Sequence, residues 1–212
     1  MTPSANIDPH KVAVTGCSRY GKGALAAGAF DDRIALTIPQ ESGSGGTSSY
    51  RVAQDQYDPG AQSGLGHVQT SSSAAGDASG SWFRNGFGSN FGNAVTKLPY
   101  DHHAIIGLVA PRPLLVIDNE IDWLGIDPTY TAGSIGKKIW DALGVPDNMG
   151  YWQSAPHGHC QMPSSQQPAI EAFVKKFLLD DPNGGDTDIL RADGSAQADL
   201  ASWMDWDVPT LQ

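Results

Sequence analysis

The chain has 212 residues, 40% of them hydrophobic, with six tryptophans and a net charge of −10. That is enough apolar material for one domain with a substantial core. The negative balance argues against a nucleic-acid partner, which needs a basic footprint, and no apolar run reaches the ~18 residues needed to span a membrane. The opening MTPSANIDPHK lacks the charged-then-apolar pattern of a leader peptide. Lys11–Thr15 (KVAVT) predicts a buried strand ended by Gly16, and Gly23–Phe30 (GALAAGAF) a helix packed through small residues. Ile34–Pro39 (IALTIP) predicts a second strand and Glu41–Thr47 (ESGSGGT) a loop.

From about Ser42 to Asn93 the periodic signal is weak. Aromatic residues at Tyr50, Tyr57, Trp82, Phe83, Phe87 and Phe91 favour an ordered insertion there over a disordered one. Asp101–Ala110 predicts a short helix stopped by Pro111, and Pro113–Asp118 (PLLVID) a third strand. Thr129–Leu143 is helical with Gly144 as its stop, Gly150–Ser154 is a fourth strand, and Pro168–Leu179 is an amphipathic helix. Residues 1–180 therefore form the domain, and residues 181–212 are expected to be a loosely held acidic, polar tail or the start of a linker. Strands alternating with helices indicate an α/β protein with a parallel sheet. Four strands are few for such a sheet, so this reads as the second half of a larger domain.

Gly16-Cys17-Ser18-Arg19-Tyr20-Gly21 has the strand–G-x-S-x-x-G–helix layout of a nucleophile elbow, with the second glycine one place later than in G-x-S-x-G. The backbone N–H of Arg19, opening the helix, can donate to a developing oxyanion. An ordinary glycine-rich turn fits the hexamer equally well. A serine nucleophile needs a base held by an acid. His157 and His159 both lie after the fourth strand, where the base is expected. If Ser18 and His159 meet, Cys17 and Cys160 come within bonding range, and that would single out His159. Two free thiols fit the spacing equally. Glu41, after the second strand, and Glu120, after the third, are both candidates for the acid. A zinc site built from His157, His159, Cys160 and Asp101-His102-His103 is disfavoured by its spacing. The Asp-His-His run reads instead as helix capping and core hydrogen bonding.

The blocks VTGCSRYGKGAL, RIALTIPQESGSGG, LPYDHH, APRP, DWLG and HGHCQMPSSQ resemble the fungal-type glucuronoyl esterases of carbohydrate esterase family fifteen, from about Thr2 to Leu179. The resemblance implies an α/β-hydrolase fold, a mostly parallel sheet with flanking helices, here without its first strands. It implies a Ser/His/Glu triad of Ser18, His159 and Glu41, with Arg19 at the oxyanion site. It implies a Cys17–Cys160 disulfide, and with it an oxidising, secreted setting. Lys22, Gln69 and Trp123 match positions that hold the glucuronate sugar, and the family's sugar-binding Glu falls near Asp77 or Ser79. The implied substrate is a 4-O-methyl-glucuronate ester joining xylan to a lignin alcohol. The implied chemistry needs no metal or organic cofactor. A further disulfide of fungal members would fall at Ser49 and Ala132, so that bond is not expected. Two other readings remain: a non-catalytic carbohydrate-binding relative, and a general acyl esterase.

Overall fold

A computed structural model describes residues 7–57, 68–70, 83–84, 86–87, 90–91 and 94–211. The first strand, β1, is Ala13–Cys17, and helix α1, Arg19–Phe30, follows it through the single residue Ser18. Then come β2 (Leu36–Gln40), α2 (Tyr50–Asp55), α3 (His102–Gly107) and β3 (Leu114–Asn119). The remaining elements are α4 (Ile126–Ala142), β4 (Met149–Ser154), α5 (Gln167–Leu178), β5 (Leu190–Ala192) and α6 (Leu200–Trp203). No helix among the described residues is long and apolar enough to cross a membrane.

The sheet is parallel throughout, in the order β1-β2-β3-β4-β5. Its central strands are buried on both faces, as parallel strands covered by helices must be. Strand alternation separates two cores. Leu114 and Val116 join Leu25, Ile106, Trp140 and Tyr151 on the side of α1, α3 and α4. Leu115 and Ile117 join Leu36, Ile38, Trp152 and Phe173 on the side of α5. The register places Cys17 beside Gln40, Gln40 beside Ile117, and Asn119 beside Ser154. The carboxyl ends of β1 to β4 therefore finish nearly level. The residues that follow them (Ser18, Glu41, Glu120 and the loop from Ala155) leave the sheet at one end.

Three expectations need correction. The segment after Asp180 is not loosely held. Its β5 pairs with β4, with the Tyr151 N–H donating to Ile189 O at 2.8 Å and the Asp193 N–H to Gln153 O at 2.9 Å. The Arg191 guanidinium lies 4.3 Å from the Trp152 ring centroid, and the indole N–H of Trp152 donates to Asp193 at 2.8 Å. A strand of three residues is too short to display a period, so its polar composition looked like a tail. Second, α1 begins at Arg19 rather than Gly23, and α4 at Ile126 rather than Thr129. Pro128 is tolerated in that first turn because the first N–H groups of a helix have no partner to lose. Third, Tyr50–Asp55 is helical within the stretch read as aperiodic.

Four of the aromatic residues of that stretch, Tyr50, Phe83, Phe87 and Phe91, form a chain of ring contacts. Phe83 stacks on Phe87 at 4.4 Å, Phe87 tilts against Phe91 at 5.6 Å, and Tyr50 packs edge-on to His102 at 4.3 Å. Ser49 caps α2 by accepting from the Val52 N–H at 3.2 Å, and its hydroxyl donates to Asp101 at 2.8 Å. Ala132 is fully buried in the core. Asp101 accepts from the N–H groups of Tyr50, Arg51 and His102 at 2.8, 3.0 and 2.7 Å. Burial lowers the His102 pKa, and its Nδ1 pairs with Gly46 O at 2.6 Å. The Asp101-His102 pair thus caps and cross-links two helices.

Candidate active site

Ser18 occupies the single-residue turn between β1 and α1, with φ 59° and ψ −126°. A non-glycine residue at positive φ is strained and persists only where its surroundings enforce it. Here the Ser18 N–H donates to Gln40 O at 3.0 Å, and the Lys22 N–H donates to Ser18 O at 3.1 Å. The turn is so tight that a Cβ at Gly16 would lie 2.6 Å from Tyr20 O, and one at Gly21 would lie 2.5 Å from Gln40 O. Those contacts explain both glycines of the hexamer, and the later position of the second.

Glu41 follows β2 directly and is also at positive φ, 44°. Its carboxylate accepts three hydrogen bonds of 2.9 Å or less: Gln40 Nε2 on Oε1 at 2.9 Å, and His159 Nδ1 and the Cys160 N–H on Oε2 at 2.7 and 2.9 Å. Asn119 Nδ2 approaches the same Oε2 at 3.4 Å. The Glu41 side chain is 0% exposed, whereas that of His159 is 28% exposed. A buried carboxylate on Nδ1 orients the ring and leaves Nε2 to exchange a proton. The outer face of the pair is shaped by Trp123, whose ring meets that of His159 edge-on at 4.8 Å.

Cys17 and Cys160 form a disulfide with Cα atoms 5.8 Å apart and a sequence separation of 143 residues. Closing a loop of that length stabilises the fold by roughly 5 kcal/mol in chain-entropy estimates. The bond ties the residue before Ser18 to the residue after His159. Sulfur and imidazole ligand atoms of Cys17, His159 and Cys160 do lie within 4.8 Å of one another. Both sulfurs are committed to the disulfide, so neither is a thiolate for zinc.

Other candidates fall in different places. Lys22 is on α1, and its amine donates to Ser42 O. Burial pushes that amine down to about 8, against an opposing pull from the Asp118 carboxylate. The Gln69 N–H donates to Trp123 O at 3.0 Å, and the side-chain Oε1 of Gln69 is buried without a hydrogen-bond partner among the described residues. Arg19 follows Ser18, but its side chain is exposed and lies over Tyr20, 5.3 Å from the ring centroid. Asp77, Ser79 and Trp82 lie outside the described residues. Glu120, the rival acid, accepts from the backbone N–H groups of Ser195 and Ala196. It holds the chain after β5 and makes no hydrogen bond to either histidine among those described. His157, the rival base, meets Asn119 and, among the described residues, no carboxylate.

Two residues of this neighbourhood carried no signal in the sequence. Asp118 is fully buried, and burial raises its carboxyl to about 7, although the Asn119 N–H at 2.9 Å and the Tyr151 hydroxyl at 3.4 Å donate to it. Asn119 touches both Glu41 and His157. Only their place at the carboxyl end of a parallel strand could have marked them.

Comparison with known proteins converges on one family. The model of the family described as glucuronyl esterase, fungi, matches residues 1–144. A 4-O-methyl-glucuronoyl methylesterase of Hypocrea jecorina is 46% identical over 211 residues, covering 100% of this chain and 43% of that protein. The enzyme of the same name from Phanerochaete carnosa is 41% identical, covering 100% of this chain and 50% of that protein. The chain thus spans about half the length of these relatives. The glucuronoyl esterase catalytic domain from Hypocrea jecorina superposes with a TM-score of 0.86 at 44% identity, over 98% of this chain and 54% of that one. A mutant glucuronoyl esterase from Sporotrichum thermophile, in complex with methyl 4-O-methyl-β-D-glucopyranuronate, also superposes at 0.86, with 38% identity over 97% of this chain and 53% of that one. The parallel sheet with flanking helices is thus the α/β-hydrolase fold of these esterases, and the chain belongs to the fungal glucuronyl esterase family.

Proposed function

We propose that this chain carries the nucleophile, base and acid of a secreted serine esterase that cleaves esters of a glucuronic-acid carboxyl group. The observation that carries this reading is the buried Glu41 carboxylate 2.7 Å from His159 Nδ1, with the strained Ser18 turn tied to that loop by the Cys17–Cys160 bond. Ser18 Oγ attacks the ester carbonyl and gives its proton to His159 Nε2. Glu41 fixes the tautomer and stabilises the imidazolium that forms. The Arg19 backbone N–H, at the start of α1, faces the developing oxyanion, and its guanidinium adds positive charge nearby. Collapse of the tetrahedral intermediate breaks the bond to the alcohol, which takes the proton from His159. Water then adds to the acyl-enzyme by the same route and releases the uronic acid.

Lys22, Gln69 and Trp123 hold the sugar, and Asp77 supplies a further acceptor for its hydroxyls. Gln69 Oε1, buried and without a partner among the described residues, supports this role, because a buried acceptor without a donor awaits one. The related structure bound to methyl 4-O-methyl-β-D-glucopyranuronate supports a 4-O-methyl-glucuronate ester as the substrate. In plant cell walls such esters link xylan to lignin alcohols. The net charge of −10 does not oppose it, since an esterified carboxyl is neutral.

The direct test is hydrolysis of methyl or benzyl glucuronate by the purified chain. The expected result is turnover that Ser18→Ala reduces by at least a thousandfold. Equal turnover in the two proteins would overturn the mechanism. Faster cleavage of simple acetyl or butyryl esters than of uronate esters would overturn the substrate.

A further inference from the structure

We infer that Asn119 is a positioning residue for the His159–Glu41 pair, an inference that rests on the catalytic reading just given. Asn119 is the last residue of β3 and is fully buried. It stands between Glu41, at the end of β2, and the loop that leaves β4. Its Nδ2 lies 3.0 Å from His157 O, 3.2 Å from His157 Nδ1 and 3.4 Å from Glu41 Oε2. Its Oδ1 accepts from the His157 N–H at 3.2 Å. One carboxamide therefore grips the backbone of the histidine loop through both its atoms and also reaches the carboxylate that the loop must meet.

Proton counting narrows what the amide does. Nδ2 has two hydrogens and three neighbouring acceptor positions. His157 Nδ1 also lies 3.0 Å from Gly158 O, a contact that requires the proton on Nδ1. With the proton there, Nδ1 no longer accepts, and the two Asn119 hydrogens go to His157 O and Glu41 Oε2. Both Asn119 hydrogens then have acceptors, the 3.2 Å approach of Nδ2 to His157 Nδ1 is left as a contact between two donors, and His157 Nε2 is buried without a hydrogen-bond partner among the described residues.

The consequence is a bracket around His159. Residue 160 is held by the disulfide to Cys17 and by its N–H on Glu41 at 2.9 Å. Residue 157 is held by Asn119. His159 sits between these anchors, so its Nδ1 has little freedom except to face Glu41. The amide also supplies a neutral donor beside Glu41, where a carboxylate would supply repulsion.

A residue that merely fills space would affect folding and leave the pH profile alone. Asn119→Asp separates the two cases. The introduced carboxyl would meet Glu41, which follows β2, and His157, from the loop after β4, with Asp118 adjacent on its own strand. Protonated, it keeps one of the two hydrogens that the amide donates. Ionised, it loses the donor and places a second negative charge beside Glu41, a like-charge contact that raises its own pKa. Activity relative to the parent chain should therefore fall as pH rises, from within threefold at pH 5 to at least tenfold lower at pH 8, with KM changed less than twofold. Asn119→Ala should lower kcat tenfold or more at every pH, with KM again nearly unchanged. A ratio for Asn119→Asp that stays constant from pH 5 to 8, or both variants within twofold of the parent, would overturn the assignment.

A second measurement does not depend on turnover. In NMR titrations, the His159 midpoint should move to higher pH by at least half a unit in Asn119→Asp, because an added negative charge favours the imidazolium. An unmoved midpoint refutes the positioning role. A parent chain that fails to hydrolyse the ester while the midpoint moves refutes the catalytic reading instead.

Discussion

At the scale of single residues, the end of β3 buries an acid that the proposed mechanism does not use. Asp118 is fully enclosed, and burial raises its carboxyl to about 7, against about 4 in an unfolded chain. The folded protein therefore keeps a proton that the unfolded chain releases. The stability this contributes is complete below pH 4 and is lost as pH rises to about 7. Asp118→Asn removes the titration and keeps one carbonyl oxygen for the Asn119 N–H, while the Tyr151 hydroxyl, which meets the other oxygen, retains Thr129 Oγ1 at 3.1 Å. Part of the benefit is offset, because the Asp118 charge also supports the buried Lys22 amine. The variant should match the parent within about 0.5 kcal/mol at pH 4 and exceed it by about 1–3 kcal/mol at pH 8. Urea unfolding at the two pH values reads this directly. A difference independent of pH would show that Asp118 does not carry the titration.

At the scale of elements, two carboxylates that looked equivalent in sequence part company. Glu41 and Glu120 both follow strands at the same end of the sheet, and position alone could not choose between them. The choice depends on tertiary partners: Glu41 meets His159, and Glu120 holds the backbone at Ser195 and Ala196. On the triad proposed above, Glu41→Ala should lower kcat by a factor of a thousand or more. Glu120→Ala should leave kcat within about threefold and instead speed proteolytic cleavage after β5. The reverse pattern would exchange the two roles. The same contrast shows what a sequence can carry. Gly16, Gly21 and the β-branched run before them make the elbow legible, because its constraints act on neighbours in the chain. The two cysteines are legible as a conditional pair, since each adjoins a reactive residue type. Asn119 and β5 are not legible. The role of Asn119 exists only once parallel register brings three strand ends level. β5 is three residues long, and it is held by Trp152 and Tyr151, some forty residues earlier.

At the scale of the whole molecule, the sheet is closed unevenly. The central strands β2, β3 and β4 are buried almost throughout, whereas β1, which leads into the Ser18 turn, has Ala13 and Thr15 exposed. No strand pairs with its outer edge among the described residues. Ile7, Tyr20 and Phe30, from the segment before β1 and from α1, are 61%, 69% and 75% exposed. An open strand edge offers unpaired backbone donors and acceptors to a second chain. Opposing this is the net charge of −10, whose repulsion salt screens over a Debye length of about 8 Å at physiological ionic strength. For this chain, which spans about half the length of its relatives, the balance predicts association of two copies through β1, with a two-fold axis making the new pairing antiparallel. Light scattering coupled to size exclusion should show the dimer fraction rising with salt, and rising again as pH falls and carboxylates are neutralised. Ala13→Lys places a charge on the open edge without disturbing the core, and should return the protein to a monomer with unchanged unfolding temperature. A protein that stays monomeric at every salt concentration and pH, or a dimer indifferent to Ala13→Lys, would mean that the edge is not where copies meet.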